Sequence, residues 1–192
     1  MSTRLTERDY QIIEFIKEFK AVTADDIAEL YFANSNNKQA LARRRLLKIS
    51  EAKPLNIYRK DILHPNIYYF NNRPINLKHT LLITKLYVHL KTHYNILKYS
   101  REYEIKYSIG KVLRCDLMTV ILINNKPIPY IFEIDIKAPY NKKYDDYILN
   151  NYYKTKFPIP PTIVSISKFN TVKSNTDVKL INIDNIDNMK LE

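Results

Sequence analysis

The sequence predicts an α+β protein in two parts: a basic, mainly helical stretch over 1–72 closed by a β-hairpin, and an α/β unit over 73–192 with the order α-β-β-β-α-β. Three observations predict it. Two hydroxyl-capped helix starts precede apolar residues at helical spacing. A strongly basic segment follows them and runs into a pair of short alternating strands. Beyond Asn71-Asn72-Arg73-Pro74, β-branched and aromatic runs are separated by the turn formers Gly110 and Asn124-Asn125. With 192 residues, 45% of them hydrophobic, the chain is long enough to bury a core in one large or two small domains.

The first element begins at Thr6-Glu7-Arg8-Asp9, a capping box with Asp as its acid, and continues through Ile12, Ile13, Ile16 and Phe19. A second start, Thr23-Ala24-Asp25-Asp26, leads into Ile27, Leu30 and Tyr31, and the turn formers at 33–37 end that short helix. A third helix is predicted over 36–52, stopped by Pro54. Residues 55–60 and 66–70 alternate like two strands, with 61–65 as the turn between them.

Charge marks the third helix and the hairpin. The net charge is +11, and between Asn36 and Lys60 eight basic residues face a single acid, Glu51. Excess cationic charge favours polyanions through counterion release. Helix, short helix, turn and basic helix describe a helix-turn-helix, and the hairpin makes it a winged helix. In that arrangement Asn37, Lys38, Gln39 and Arg43 approach base edges. Arg44, Arg45 and Lys48 reach phosphates, one of them turning inward or sideways, and the hairpin carries Arg59 and Lys60. The expected partner is double-stranded DNA.

In the second part a helix is predicted over 77–91, then strands over 101–109, 112–123 and 128–136. A helix over 141–156, broken by Pro158-Ile159-Pro160-Pro161, precedes strands over 162–167 and 178–183 and a loose tail. Polar residues within the strands are the informative ones. Glu133, Asp135 and Lys137 share one face of their strand. If this strand pairs with its predecessor through the Asn124–Pro127 turn, Asp116 comes close to Glu133 or Asp135. Converging carboxylates suit Mg²⁺ or Mn²⁺, and such an ion with a nearby lysine could cleave a phosphodiester.

Several classes are excluded. No run of about 18 apolar residues spans a membrane, and Met1–Arg8 lacks the apolar stretch of a secretory signal. One cysteine, Cys115, makes no internal disulfide, which points to a reducing compartment and a cytoplasmic address. One glycine leaves no phosphate-binding loop. His89 and His93 are spaced i, i+4 without a third ligand. The four histidines offer no pair flanking one apolar residue, so the sixteen tyrosines are read as core and strand-face residues, not nucleophiles.

Leu5-Thr6-Glu7-Arg8-Asp9, Arg43-Arg44-Arg45-Leu46, Tyr68-Tyr69-Phe70, His79, and Arg114-Cys115-Asp116 followed by Phe132-Glu133-Ile134-Asp135, with Tyr144 and Tyr147 after them, occur in the order of one known layout. In these residues the chain resembles the replication-relaxation family of plasmids and other mobile elements. The resemblance implies an N-terminal winged helix joined to a domain similar to PD-(D/E)XK nucleases. It also implies a part in plasmid replication, DNA relaxation or mobilisation, with proteins of those processes as partners. The chain departs from the nuclease pattern at Cys115, where proline is usual. Taking Glu133 as the second acid puts Asp135 where lysine is expected; taking Asp135 restores Lys137.

Three functions follow. The first is a non-catalytic DNA-binding protein of a mobile element. The second is a metal-dependent nuclease or nickase using Asp116, Glu133, Asp135 and Lys137. The third is a transcriptional regulator whose second half serves homodimerisation or effector sensing.

Overall fold

The structure is a computed structural model, and it describes residues 4–61 and 64–191. It is a mixed α+β chain that divides into two compact units, Met1–Val88 and His89–Glu192. The division falls inside a helix, later than the boundary after residue 72 read from the sequence. Residues 73–88 pack with the first unit: Thr84 Oγ1 donates to the Ala21 carbonyl at 2.8 Å, and the Tyr87 ring lies 4.6 Å from that of Phe19.

In the first unit α1 (Glu7–Phe19) and α2 (Ala24–Tyr31) both start on complete capping boxes. The Thr6 amide donates to Asp9 Oδ2 at 2.6 Å and the Thr23 amide to Asp26 Oδ2 at 2.7 Å, which satisfies amides the helices cannot pair internally. α1 ends on Lys20 in the left-handed region, φ 67°. α3 (Lys38–Ala52) ends on extended Lys53, as the following proline requires. The strands β1 (Val22–Thr23), β2 (Leu55–Tyr58) and β3 (Ile67–Phe70) form an antiparallel sheet in the order β1-β3-β2. Leu55 pairs with Phe70 and Tyr58 with Ile67, while Val22 faces Tyr68. Two residues carry no periodicity, so β1 has no sequence signal. Of the turn expected at 61–65, residues 62 and 63 lie outside the described residues. Ile12, Ile16, Phe19, Ile27, Leu46 and Ile49 are fully buried and make this unit's core.

α4 (Leu77–His93) leads into the second unit, a five-stranded sheet in the order β4-β5-β6-β7-β8. β4 (Asn95–Ser108), β5 (Lys111–Ile123) and β6 (Lys126–Asp135) are antiparallel; β7 (Thr162–Ser167) and β8 (Val178–Asn182) run parallel to β6. Gly110 (φ 70°) turns the first hairpin; Asn124 (φ 49°) and Asn125 (φ 62°) turn the second, both in the left-handed region a tight hairpin favours. β4 begins at Asn95, earlier than the predicted residue 101. The helix predicted over 141–156 is instead a short α5 (Asp145–Leu149) and a separate 3-10 turn (Tyr152–Thr155), because Asn151 adopts φ 57° between them. The tail is not loose: a 3-10 turn at Ile183–Asn188 buries Ile186, and Met189 and Leu191 are buried after it. Among the described residues no helix is long and apolar enough to cross a membrane.

Candidate functional site

α3 turns Ala42, Leu46 and Ile49 into the core of the first unit. The helical period therefore puts Ala40, Arg43, Arg44 and Leu47 on the opposite face, and all four are exposed, Leu47 by 56%. Gln39 and Asn37 are exposed at the front of the helix. The three consecutive arginines thus part company. Arg45 lies between the two faces and turns inward: its Nε donates to Asp9 Oδ1 at 2.8 Å, and its Nη2 donates to Asp9 Oδ2 and, at 3.3 Å, to Thr6 Oγ1. Burial would raise the Asp9 carboxyl, yet the Arg45 guanidinium and the Thr6 bonds hold it below its ordinary range. Arg45, counted from the sequence among the DNA-contacting residues, is therefore a structural brace between α3 and the start of α1.

Lys38 is half-buried and paired with Glu29, Nζ to Oε1 at 2.6 Å. Lys48 is half-buried as well. On the hairpin Arg59 and Lys60 are exposed, and Arg59 Nε donates to the His64 carbonyl at 3.2 Å. A residue missed in the sequence joins them: the Arg73 guanidinium lies over the Tyr58 ring, 4.5 Å from its centre. Its only signal was its place just after β3. Asn37, Gln39, Arg43, Arg44, Arg59 and Lys60 thus remain solvent-facing in this unit, whereas Lys38 and Arg45 are engaged by internal carboxylates.

In the second unit the β5–β6 ladder ends at Leu117 opposite Phe132. One step further, Asp116 Oδ2 accepts the Ile134 amide at 2.8 Å, so a side chain takes up a bond the ladder no longer makes. Glu133 is 6% exposed. Lys143 Nζ donates to Glu133 Oε1 at 2.8 Å and to the Arg114 carbonyl at 2.6 Å, and the Tyr144 hydroxyl donates to the same Oε1. Burial pushes the Glu133 carboxyl up to about 7; the Lys143 charge works against that rise and the Asp116 charge adds to it. Asp135 faces β7, where Ser165 Oγ donates to its Oδ2 at 2.6 Å and Ser167 Oγ to its carbonyl at 3.2 Å. Lys137 is exposed beyond the end of β6.

The acids are thus close in sequence register but divided among different partners. Among the described residues no three His, Cys, Asp or Glu side chains are grouped to hold a metal ion. The Mg²⁺ or Mn²⁺ site expected from Asp116, Glu133 and Asp135 does not fit these donors. The lysine that reaches an acid is Lys143, not Lys137; it stands ten residues after Glu133 in a loop, where strand spacing gives no hint of it. Cys115 is buried, and burial with the Glu133 charge beside it pushes its thiol up to about 12, so it is an unreactive core residue. His89 Nε2 is bonded to the Met189 carbonyl at 3.0 Å and His93 Nδ1 to the His89 carbonyl at 2.9 Å, so the first ring ties down the segment after the last 3-10 turn and the second serves the helix end.

No family model matches the chain, and no curated protein matches it. A solved structure, the crystal structure of protein VC1899 from Vibrio cholerae, is similar to it with a TM-score of 0.42 and 14% identity, over 96% of this chain and 55% of that one. The chain spans about half the length of that protein.

Proposed function

We propose that this chain is a DNA-binding protein whose first unit acts as a winged helix, with α3 entering the major groove of duplex DNA and the β2–β3 hairpin serving as the wing. The observation that carries the reading is the outward face of α3, where Arg43 and Arg44 are exposed beside Gln39 and Ala40 and the first acid of the helix is Glu51, near its end. Small and polar residues at the front of a helix allow close approach to base edges, and the arginines supply phosphate or guanine contacts. Three helices followed by a hairpin, in that order, support the same reading. Arg59, Lys60 and Arg73 would flank the groove.

The resemblance to replication-relaxation proteins supplies the setting, a part in the replication, relaxation or mobilisation of a mobile element. On this reading the second unit is a PD-(D/E)XK-like core that has lost cutting. Its Glu133 is held by Lys143 and Tyr144, and Asp135 by Ser165.

Fluorescence anisotropy with a duplex at several salt concentrations tests it. The parent should bind with a steep salt dependence. Arg43→Ala/Arg44→Ala should flatten the slope of log K against log salt by about 2, at about 0.9 for each phosphate no longer neutralised. An unchanged unfolding temperature shows that the variant is folded. Absence of duplex binding at low salt, or binding insensitive to both substitutions, would overturn the proposal. Nicking of supercoiled plasmid in Mg²⁺, abolished by Asp116→Ala, would favour the nuclease instead.

A further inference from the structure

The carboxyl ends of β6 and β7 lie side by side, with Asp135 opposite Ser167, and each strand passes into a lysine-bearing loop. The loop after β6, residues 136–143, carries Lys137, Lys142 and Lys143; the loop after β7, residues 168–174, carries Lys168 and Lys173. The first stretch contains no acid, and the connection from the second to β8 holds one, the exposed Asp177 just before the strand. Lys143 is bound to Glu133, but Lys137, Lys142, Lys168 and Lys173 are exposed.

The two loops are knitted together. Asn141 and Lys173 form a parallel bridge, in which the Lys142 amide donates to the Lys173 carbonyl at 2.7 Å and the Lys173 amide to the Tyr140 carbonyl at 3.1 Å. The end of the second loop is pinned by Asp145, which accepts the Asn175 amide at 2.7 Å and the Thr176 hydroxyl at 3.2 Å. The two carboxylates that flank the first loop in sequence are thereby satisfied from within: Asp145 by the second loop and Asp135 by Ser165. Lys168 is steadied over the Phe169 ring, 5.3 Å from its centre. Four exposed lysines on two backbone-bridged loops, outnumbering the one exposed acid, Asp177, form an electrostatic footprint for a polyanion. The carboxyl end of parallel strands is also where open sheets carrying crossovers bind ligands.

We infer that this loop pair is a second phosphate-binding surface, which holds the backbone of a nucleic acid independently of α3. The surface suits nucleic acid better than an anionic membrane. Among the described residues the exposed large apolar side chains, Leu47, Ile75, Ile109 and Ile159 among them, all lie outside both loops, so no apolar anchor accompanies the charge.

The test uses the full chain and a short random-sequence duplex, with affinity followed against salt. Lys137→Gln/Lys142→Gln/Lys168→Gln/Lys173→Gln should flatten the log–log slope by about 3 to 4, at about 0.9 per phosphate. The pair Lys168→Gln/Lys173→Gln should give about half of that change, and serves if the fourfold variant fails to fold. A charge-matched control, Lys91→Gln/Lys98→Gln/Lys106→Gln/Lys126→Gln, removes four other exposed lysines and should leave the slope nearly unchanged. Equal flattening by loop and control variants would reduce the effect to net charge and overturn the inference. So would an unchanged slope in the loop variant, or binding to phosphatidylserine vesicles without binding to the duplex. Arg43→Ala/Arg44→Ala, measured alongside, separates the two surfaces. A flatter slope there with the loop variant unchanged keeps the α3 proposal and sinks this one, and the reverse keeps this one alone.

Discussion

Arg45 shows how one residue decides between surface and interior. Its neighbours Arg43 and Arg44 are solvated, while Arg45 meets a carboxylate that is itself fully buried. Removing one partner of such a pair leaves a charge in a poor solvent. Arg45→Ala is expected to cost about 2 to 3 kcal/mol, at the lower end for such a pair because Arg45 keeps 19% of its side chain exposed. Equilibrium denaturation checks this. The Asp9 carboxyl titrates below its ordinary range when folded, so its contribution is complete above that range and is lost as the pH falls through the lowered value. Glu133 has the opposite sign. Its folded carboxyl titrates near 7, so ionisation is resisted, and stability is lost as the pH rises from the ordinary carboxylate range through about 7. Glu133→Gln cannot ionise at that position. Between pH 5 and 8 the melting temperature of this variant should therefore fall less than the parent's, and an equal fall in both would contradict the buried-acid account.

At the scale of elements, the signals that succeeded were local. Thr6 with Asp9, and Thr23 with Asp26, announced α1 and α2 because a capping box needs only residues three apart. Thr23→Ala should cost about 1 kcal/mol, measured as a lower unfolding temperature, because it frees the Asp26 amide that the hydroxyl accepts at 3.2 Å. Signals that require distant partners failed. β1 exists only because Val22 and Thr23 find β3, and no sequence window contains both. The helix predicted over 141–156 had suitable composition, but Tyr140, Tyr144 and Tyr147 are drawn into one buried cluster with Tyr153 and Phe157, and the backbone breaks at Asn151 to permit it. Tertiary packing overrode propensity there.

For the molecule as a whole, the stretch over 183–191, which the sequence suggests is partly a loose tail, is built into the second unit. The Met189 carbonyl accepts bonds from Tyr94 and pairs with His89, and the Leu191 amide donates to the Tyr94 hydroxyl at 2.8 Å. Ile186 has 0% exposure, so this segment completes the second unit's core instead of trailing from it. Ile186→Ala is expected to destabilise that unit by about 2 to 5 kcal/mol, the cost of a buried cavity, read by chemical denaturation. A change below about 0.5 kcal/mol, typical of an exposed site, would return the tail to solvent.

The α+β class, the capped helices, the order of the main strands and the basic character of α3 and the hairpin were all legible in the chain before it folds. Each of these is written in short-range spacing, in turn residues or in charge. Three-dimensional packing settled which arginine turns inward, that Lys143 and not Lys137 meets Glu133, and that the acids disperse among separate partners. Those outcomes depend on which groups share a desolvated space, and residues far apart in the chain settle that by competing for the same hydrogen bonds.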